Sequence, residues 1–262
     1  MPLNKIDLNS DVGESFGNYK LGLDEEVVPL ISSANVACGF HAGDPSVMKR
    51  TVQIARENGV AVGAHPGFPD LIGFGRRSLD ASLEEIHDYV LYQVGALQAF
   101  ATAQGIRLQH VKPHGALYNM AVQNNDIWDA VARAMAALNS DLILYVLAGS
   151  NRKNLEAIGA RHGIRIAFEF FGDRAYNSDG SLVSRKEPGA VIHDHEAVAE
   201  KVLKMVKEGR VICKDGSEID LAADTICVHG DNPSALALVK TIRASLQSAG
   251  VEIAAPNANL DQ

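Results

Sequence analysis

Polar and apolar positions alternate with two different periods along this chain. At its start, Asp7, Asn9 and Asp11 alternate with Leu8, Ser10 and Val12. A period of two sends these three polar side chains to one side of an extended strand. Short apolar runs at 33–38 (SANVAC), 60–64 (VAVGA), 110–112 (HVK), 142–147 (LILYVL), 165–171 (RIAFEFF) and 225–228 (TICV) predict further buried strands. Helical periods lie between them. A short helix is expected over 24–31. A second starts at Asp44-Pro45, with Asp as N-cap and Pro at the first helical position, and buries Met48, Val52 and Ala55 before Asn58-Gly59. Ser82 to Glu85 forms a capping box for the longest helix, whose apolar face runs from Leu83 through Ile86, Val90, Val94 and Leu97 to Ala101. Further helices are expected over 126–138, after Asn151, over 193–208 and before Ala249-Gly250. Asp215-Gly216 predicts a small hairpin near 210–220.

Strands alternating with helices over nearly all 262 residues, with no shift in composition, predict one α/β domain spanning 1–262. Seven strands joined by short crossovers favour a parallel arrangement closed into a (β/α)7-type barrel, with an open doubly wound sheet as the alternative. The composition is 47% hydrophobic and 21% charged, that of an ordinary core-burying protein. The net charge of −8 and the lack of a Lys/Arg run give no footprint for nucleic acid. Neither an apolar leader nor an 18-residue apolar run is present, so a cytoplasmic chain with no membrane partner is expected. Cys38, Cys213 and Cys227 are odd in number and form no CxxC pair, so neither a disulfide framework nor a thiolate zinc site is indicated.

The candidate chemistry lies at the C-terminal ends of the strands, where parallel sheets place their sites. The exits carry Asp7, Asn9 and Asp11; His41 and Asp44; His65; Lys112 and His114; Ser150 and Asn151; Glu169, Asp173 and Arg174; and His229, Asp231 and Asn232. Histidines titrating near neutrality beside carboxylates suit proton transfer. Asp11, His41, His65, Glu169 and His229 are therefore the catalytic candidates. Glu169 is flanked by Phe168, Phe170 and Phe171, an apolar setting that would suit acid–base work; the alternative is a buried ion pair with Lys112 or Arg174. Asp7, Asn9, Arg77, Lys112, His114, Asp173, Arg174, Asp231 and Asn232 are candidates for holding substrate or phosphate. Gly73-Phe74-Gly75-Arg76-Arg77 resembles a mobile flap whose two cations would meet a carboxylate or phosphate; a solvated loop is the alternative. Asp11 should face substrate, with Asp7 supporting it from below. An EF-hand is excluded, because its sixth and twelfth positions would be Val12 and Asn18. His41, His65, Asp11 and His229 are metal-ligand types, yet no HxH or HExxH spacing accompanies them, so no tightly bound metal is expected. No GxxxxGK[ST] loop occurs.

At these exits the sequence resembles the LamB/YcsF family. The segments that carry the resemblance are 7–16 (DLNSDVGESF), 33–45 (SANVACGFHAGDP), 63–77 (GAHPGFPDLIGFGRR), 111–119 (VKPHGALYN), 169–176 (EFFGDRAY) and 227–231 (CVHGD), in family order along the whole chain. Ser10 stands where Cys is expected, and Phe170-Phe171-Gly172 replaces a Val-Phe-Ala run; neither removes an ionisable group. The resemblance implies a barrel related to the glycoside hydrolase/deacetylase group. It also implies ATP-dependent opening of 5-oxoproline (pyroglutamate) to L-glutamate, with Mg2+ as the nucleotide's counter-ion and 5-oxoprolinase subunits B and C as partners. Two rival functions are a metal-dependent amidase or deacetylase acting alone, and a non-catalytic lactam- or carbohydrate-binding regulator.

Overall fold

The structure is a computed structural model that describes residues 3–139, 141–149, 151–228 and 233–256. Its strands are β1 (Lys5–Val12), β2 (Ser33–Ala37), β3 (Ala61–His65), β4 (His110–Val111), β5 (Ile143–Leu147), β6 (Arg165–Phe171), β7 (Arg210–Ile212), β8 (Glu218–Asp220), β9 (Thr225–Cys227) and β10 (Glu252–Ile253). The helices are α1 (Asp24–Val27), α2 (Pro45–Glu57), α3 (Leu83–Ala103), α4 (Gly115–Gln123), α5 (Asn125–Leu138), α6 (Arg152–His162), α7 (His195–Glu208) and α8 (Pro233–Ser248). Strands β1 to β6 pair in sequence order, β9 follows β6, and β9 pairs back to β1, closing a barrel of seven parallel strands. β10 adds to the outside of β1 through Lys5 and Ile6. β7 and β8 pair antiparallel as a separate two-stranded sheet.

Local chemistry sets the elements as expected in several places. Asp44 caps α2 by accepting from the backbone N–H groups of Ser46 and Val47, with Pro45 at the first helical position. Ser82 and Glu85 form the reciprocal capping box of α3. Two elements depart from the pattern of the sequence. Gly115–Gln123 is helical although Pro113-His114-Gly115 reads as a loop; its N-cap, His114, makes no capping hydrogen bond with its side chain. The two-residue β10 is too short to leave a period. No helix among the described residues is long and apolar enough to cross a membrane.

The alternation along the strands gives the barrel two chemically different faces. Outward-facing Leu8, Val36, Val62, Leu144, Val146, Phe168, Phe170 and Ile226 pack against the helices in one large core. Inward-facing positions are mostly polar, and Ile143, Tyr145 and Ala167 form a small separate apolar cluster inside. The lumen is thus a column of hydrogen-bonding groups held in a rigid apolar cylinder.

A candidate active site at the barrel mouth

The column is built from the deep end upward. Asp7 is buried, and its carboxyl accepts from Ser32 Oγ (2.6 Å), Ser33 Oγ (2.8 Å), Tyr145 OH (3.0 Å) and Thr225 Oγ1 (2.5 Å). Burial raises its pKa, and the four donors act against that rise. One level up, Asn9 Nδ2 donates to Thr225 Oγ1 (2.7 Å) and Glu169 Oε1 (3.0 Å), while Asn9 Oδ1 accepts from Asn35 Nδ2 (2.7 Å). His110 Nε2 lies 2.7 Å from Asn35 Oδ1 and fills the space left by Gly63, where an added Cβ would stand 2.1 Å from that nitrogen.

The next level carries the charges. Lys112 Nζ lies 2.9 Å from Asp11 Oδ1, 3.0 Å from Glu169 Oε1 and 3.0 Å from Cys227 Sγ. Burial opposes the ammonium, but Asp11, Cys227 and Glu169 outweigh it and hold its pKa well above the usual lysine value. Lys112 is therefore a permanent cation already claimed by two carboxylates. Glu169 is fully buried and also accepts from Tyr118 OH at 3.1 Å. Phe168 and Phe170 point the opposite way, because neighbours on a strand take opposite faces. Phe171 shares the Glu169 face, with its ring centroid 5.4 Å from Lys112 Nζ, and of the two readings for Glu169 the lumen holds the ion pair with Lys112, beside an amide and a phenol.

At the mouth, Asp11 Oδ2 lies 3.4 Å from His65 Nε2, and 14% of the Asp11 side chain is exposed. His65 Nε2 is 2.9 Å from His114 Nδ1. The rings of His41 and His114 stack face to face with centroids 3.7 Å apart. Glu14 reaches over them, with Oε1 3.6 Å from His41 Nε2 and 3.8 Å from His114 Nδ1. Burial pushes the His114 ring down to about 3, and His65 acts in the same direction. His41 is lowered well below its usual value, first by burial and then by the other two imidazoles. Gly67 and Gly75 clear the room: an added Cβ would come within 2.7 Å of His41 Nδ1 at Gly67 and of His41 Cβ at Gly75.

The loop over residues 70–77 closes one side. Asp70 accepts from Gly73 N (3.0 Å) and from the Arg77 guanidinium, so Arg77 is spent on its own loop. The anion-holding role expected of Arg77 is not supported by this arrangement. Its neighbour Arg76 lies exposed over the Phe74 ring, and its charge acts on both His41 and His114. Arg174 is likewise internal: it donates to the carbonyls of Ala190 (3.2 Å) and Val183 (2.6 Å) and ties down the segment after β6. Asp173 is buried just past β6. His229, Asp231 and Asn232, and also Ser150, lie outside the described residues.

The structure thus brings Asp7, Asn9, Asp11, His41, His65, Lys112, His114 and Glu169 into one lumen, and turns Arg77 and Arg174 into their loops. Strand-exit reasoning misses Glu14, Asn35, His110, Tyr118, Tyr145 and Thr225, whereas Arg76 is one of the two cations of the flap. Glu14 has a visible signal in the SDVGE run, but it lies past the Gly13 turn (φ +70°), where strand alternation stops being a guide. Together these groups can hold an anion, move protons, and bind a cation.

The chain matches the LamB/YcsF family model over residues 6–261. It is 56% identical over 249 residues to a protein of Pyrococcus horikoshii described as the A subunit of 5-oxoprolinase, covering 95% of this chain and 96% of that one. A Bacillus licheniformis protein of the same description is 51% identical over 253 residues, covering 97% and 99%. Among solved structures, a lactam utilization protein from Thermus thermophilus superposes with a TM-score of 0.91 at 47% identity, covering 96% of this chain and all of that one.

Proposed function

We propose, for a chain that belongs to the LamB/YcsF family, that it is the lactam-opening component of an ATP-dependent 5-oxoprolinase, turning 5-oxo-L-proline into L-glutamate. The observation that carries this reading is the contact set at the mouth: solvent-reached Asp11 held between the Lys112 ammonium and the His65 ring. The names borne by the relatives support the substrate class. Work with companion subunits B and C and the coupling to ATP, brought as its Mg2+ complex, belong to the same proposal.

A five-membered lactam is a stable amide, so its carbonyl needs activation before water can add. Transfer of the ATP γ-phosphoryl group to the lactam oxygen releases ADP and leaves an electrophilic carbon. Asp11, 2.9 Å from the Lys112 ammonium, takes a proton from the attacking water as its oxygen bonds to that carbon. The tetrahedral centre expels the ring nitrogen, which collects the proton that Asp11 took from the water. The resulting acyl phosphate is cleaved by a second water to glutamate and phosphate. Arg76, exposed beside the mouth and over the Phe74 ring, holds the substrate carboxylate. Glu169, fully buried and bonded three ways, positions Lys112 and does not meet water.

The test is glutamate release from 5-oxoproline with the companion subunits, with and without ATP. No glutamate from the complete mixture would end the reading, and wild-type turnover by Asp11→Asn would remove Asp11 as the base. The convergence of imidazoles and carboxylates also fits an amidase working alone; release without ATP or companions would select that alternative.

A further inference from the structure

The mouth of the barrel has a donor deficit that its own residues cannot resolve. His65 Nδ1 lies 2.6 Å from the backbone carbonyl of Lys112, and His114 Nε2 lies 2.8 Å from the backbone carbonyl of Phe74. A carbonyl oxygen only accepts, so each of these nitrogens carries the ring's hydrogen. That leaves His65 Nε2 and His114 Nδ1 as bare lone pairs, and they face each other at 2.9 Å. Two carboxylate oxygens add further acceptors around the same point: Glu14 Oε1, 3.8 Å from His114 Nδ1, and Asp11 Oδ2, 3.4 Å from His65 Nε2. His41 adds an independent observation. It is fully buried, and neither ring nitrogen has a hydrogen-bond partner among the described residues; Glu14 Oε1 lies 3.6 Å from Nε2. Lone pairs brought this close in a buried site call for a proton, a water or a metal ion between them.

We propose that Glu14, His41, His65 and His114 form a binding site for one divalent transition-metal ion of the zinc type, with Asp11 at its edge. One donor atom from each of the four ligands lies within 4.8 Å of the others. A tetrahedral ion with N and O ligands about 2.0–2.1 Å away sets those atoms ~3.3 Å apart. The separations of 2.9, 3.6 and 3.8 Å bracket that value. Three imidazoles with one carboxylate favour zinc-like ions over magnesium or calcium, which take oxygen. The outer nitrogens of His65 and His114 are fixed by carbonyls, the usual way a protein orients imidazole ligands. The site goes beyond the lactam reading and does not depend on it. The rival occupant of the same gap is a proton shared by His65 and His114.

The test uses the full chain, stripped with a chelator and titrated with Zn2+ by calorimetry and with Co2+ by its visible d–d absorption. One equivalent per chain is expected, with the intense spectrum of a tetrahedral site. His41→Gln and Glu14→Gln, checked for folding by circular dichroism, should each weaken binding at least ~100-fold. His87→Ala, which dismantles the exposed Glu84–His87–Asp88 group, should leave it unchanged. Absence of saturable binding, or binding lost only in His87→Ala, overturns the site. So does a 15N spectrum of the chelated and metal-treated chain that in both cases shows one proton between His65 and His114. Metal binding with no glutamate release would leave the site standing and remove the lactam reading; ATP-driven release with no metal binding would do the reverse.

Discussion

The bottom and the mouth of the same barrel follow opposite rules. Around Asp7 and Asn9, acceptors and donors are matched: four hydroxyls surround one carboxyl, and each amide atom of Asn9 has a partner. Around His41, His65 and His114, the inward-facing atoms are acceptors, and one ring has no hydrogen-bond partner among the described residues. Both regions are buried and both are walled by the same strands. A satisfied network fixes structure, whereas a network short of one cation is shaped for something that arrives from outside.

The largest effect should come from breaking the satisfied end. Asp7→Ala strands the hydroxyls of Ser32, Ser33, Tyr145 and Thr225, and should lower unfolding free energy by about 3 kcal/mol or more in urea titration. Glu14→Gln at the mouth should cost less than ~1 kcal/mol in chelated protein. Equal losses would erase the distinction. Next, Gly63→Ala should cost ~1–3 kcal/mol by driving the His110 ring from the lumen, since the added methyl would stand 2.1 Å from it.

A third test uses pH. Burial holds His110 down to about 3 in the native state, while an unfolded histidine titrates near 6.5. The unfolded chain therefore binds the extra proton between those values. The stability due to neutral His110 is complete above pH 6.5 and is lost as pH falls toward 3, by up to ~1.4 kcal/mol per pH unit. Asp7 works oppositely: its raised pKa makes its contribution fall as pH rises above 3.8. Subtracting the urea midpoints of His110→Asn from wild type across this window isolates the first slope; a flat difference would show that the ring is protonated in the fold. The smallest effect separates two neighbours on the loop. Arg76→Ala should raise the KM for 5-oxoproline about tenfold, and Arg77→Ala should leave it unchanged. Equal KM values would return both arginines to the solvent.

The unequal legibility of these regions in the sequence has physical causes. Strands such as Ile143–Leu147 announce themselves because both faces are buried, and the period-two polar run of β1 puts Asp7, Asn9 and Asp11 on one face by spacing alone. His41, His65, Lys112 and His114 are legible because they follow strands directly or end them. Arg77 and Arg174 are misjudged because residue type does not reveal a partner: they meet a carboxylate or carbonyls in their own loops, whereas the Lys112 ion pair of Glu169 is one of the two readings the sequence allows. Glu14 is hidden by the turn at Gly13 and α4 by its missing side-chain cap.

Phe74 holds the one non-glycine positive φ among the described residues, +54°, at a cost of roughly 1–2 kcal/mol, and its carbonyl receives the His114 hydrogen. The next carbonyl, of Gly75, accepts from Ala116 N at 2.8 Å, so the twisted segment is clipped to the start of α4. The hydrogen of His114 cannot migrate to its other nitrogen while that clip is closed. Backbone spring and ring tautomer are thus two readings of one mechanical coordinate, and whatever occupies the mouth is thermodynamically linked to the tension in the loop above it.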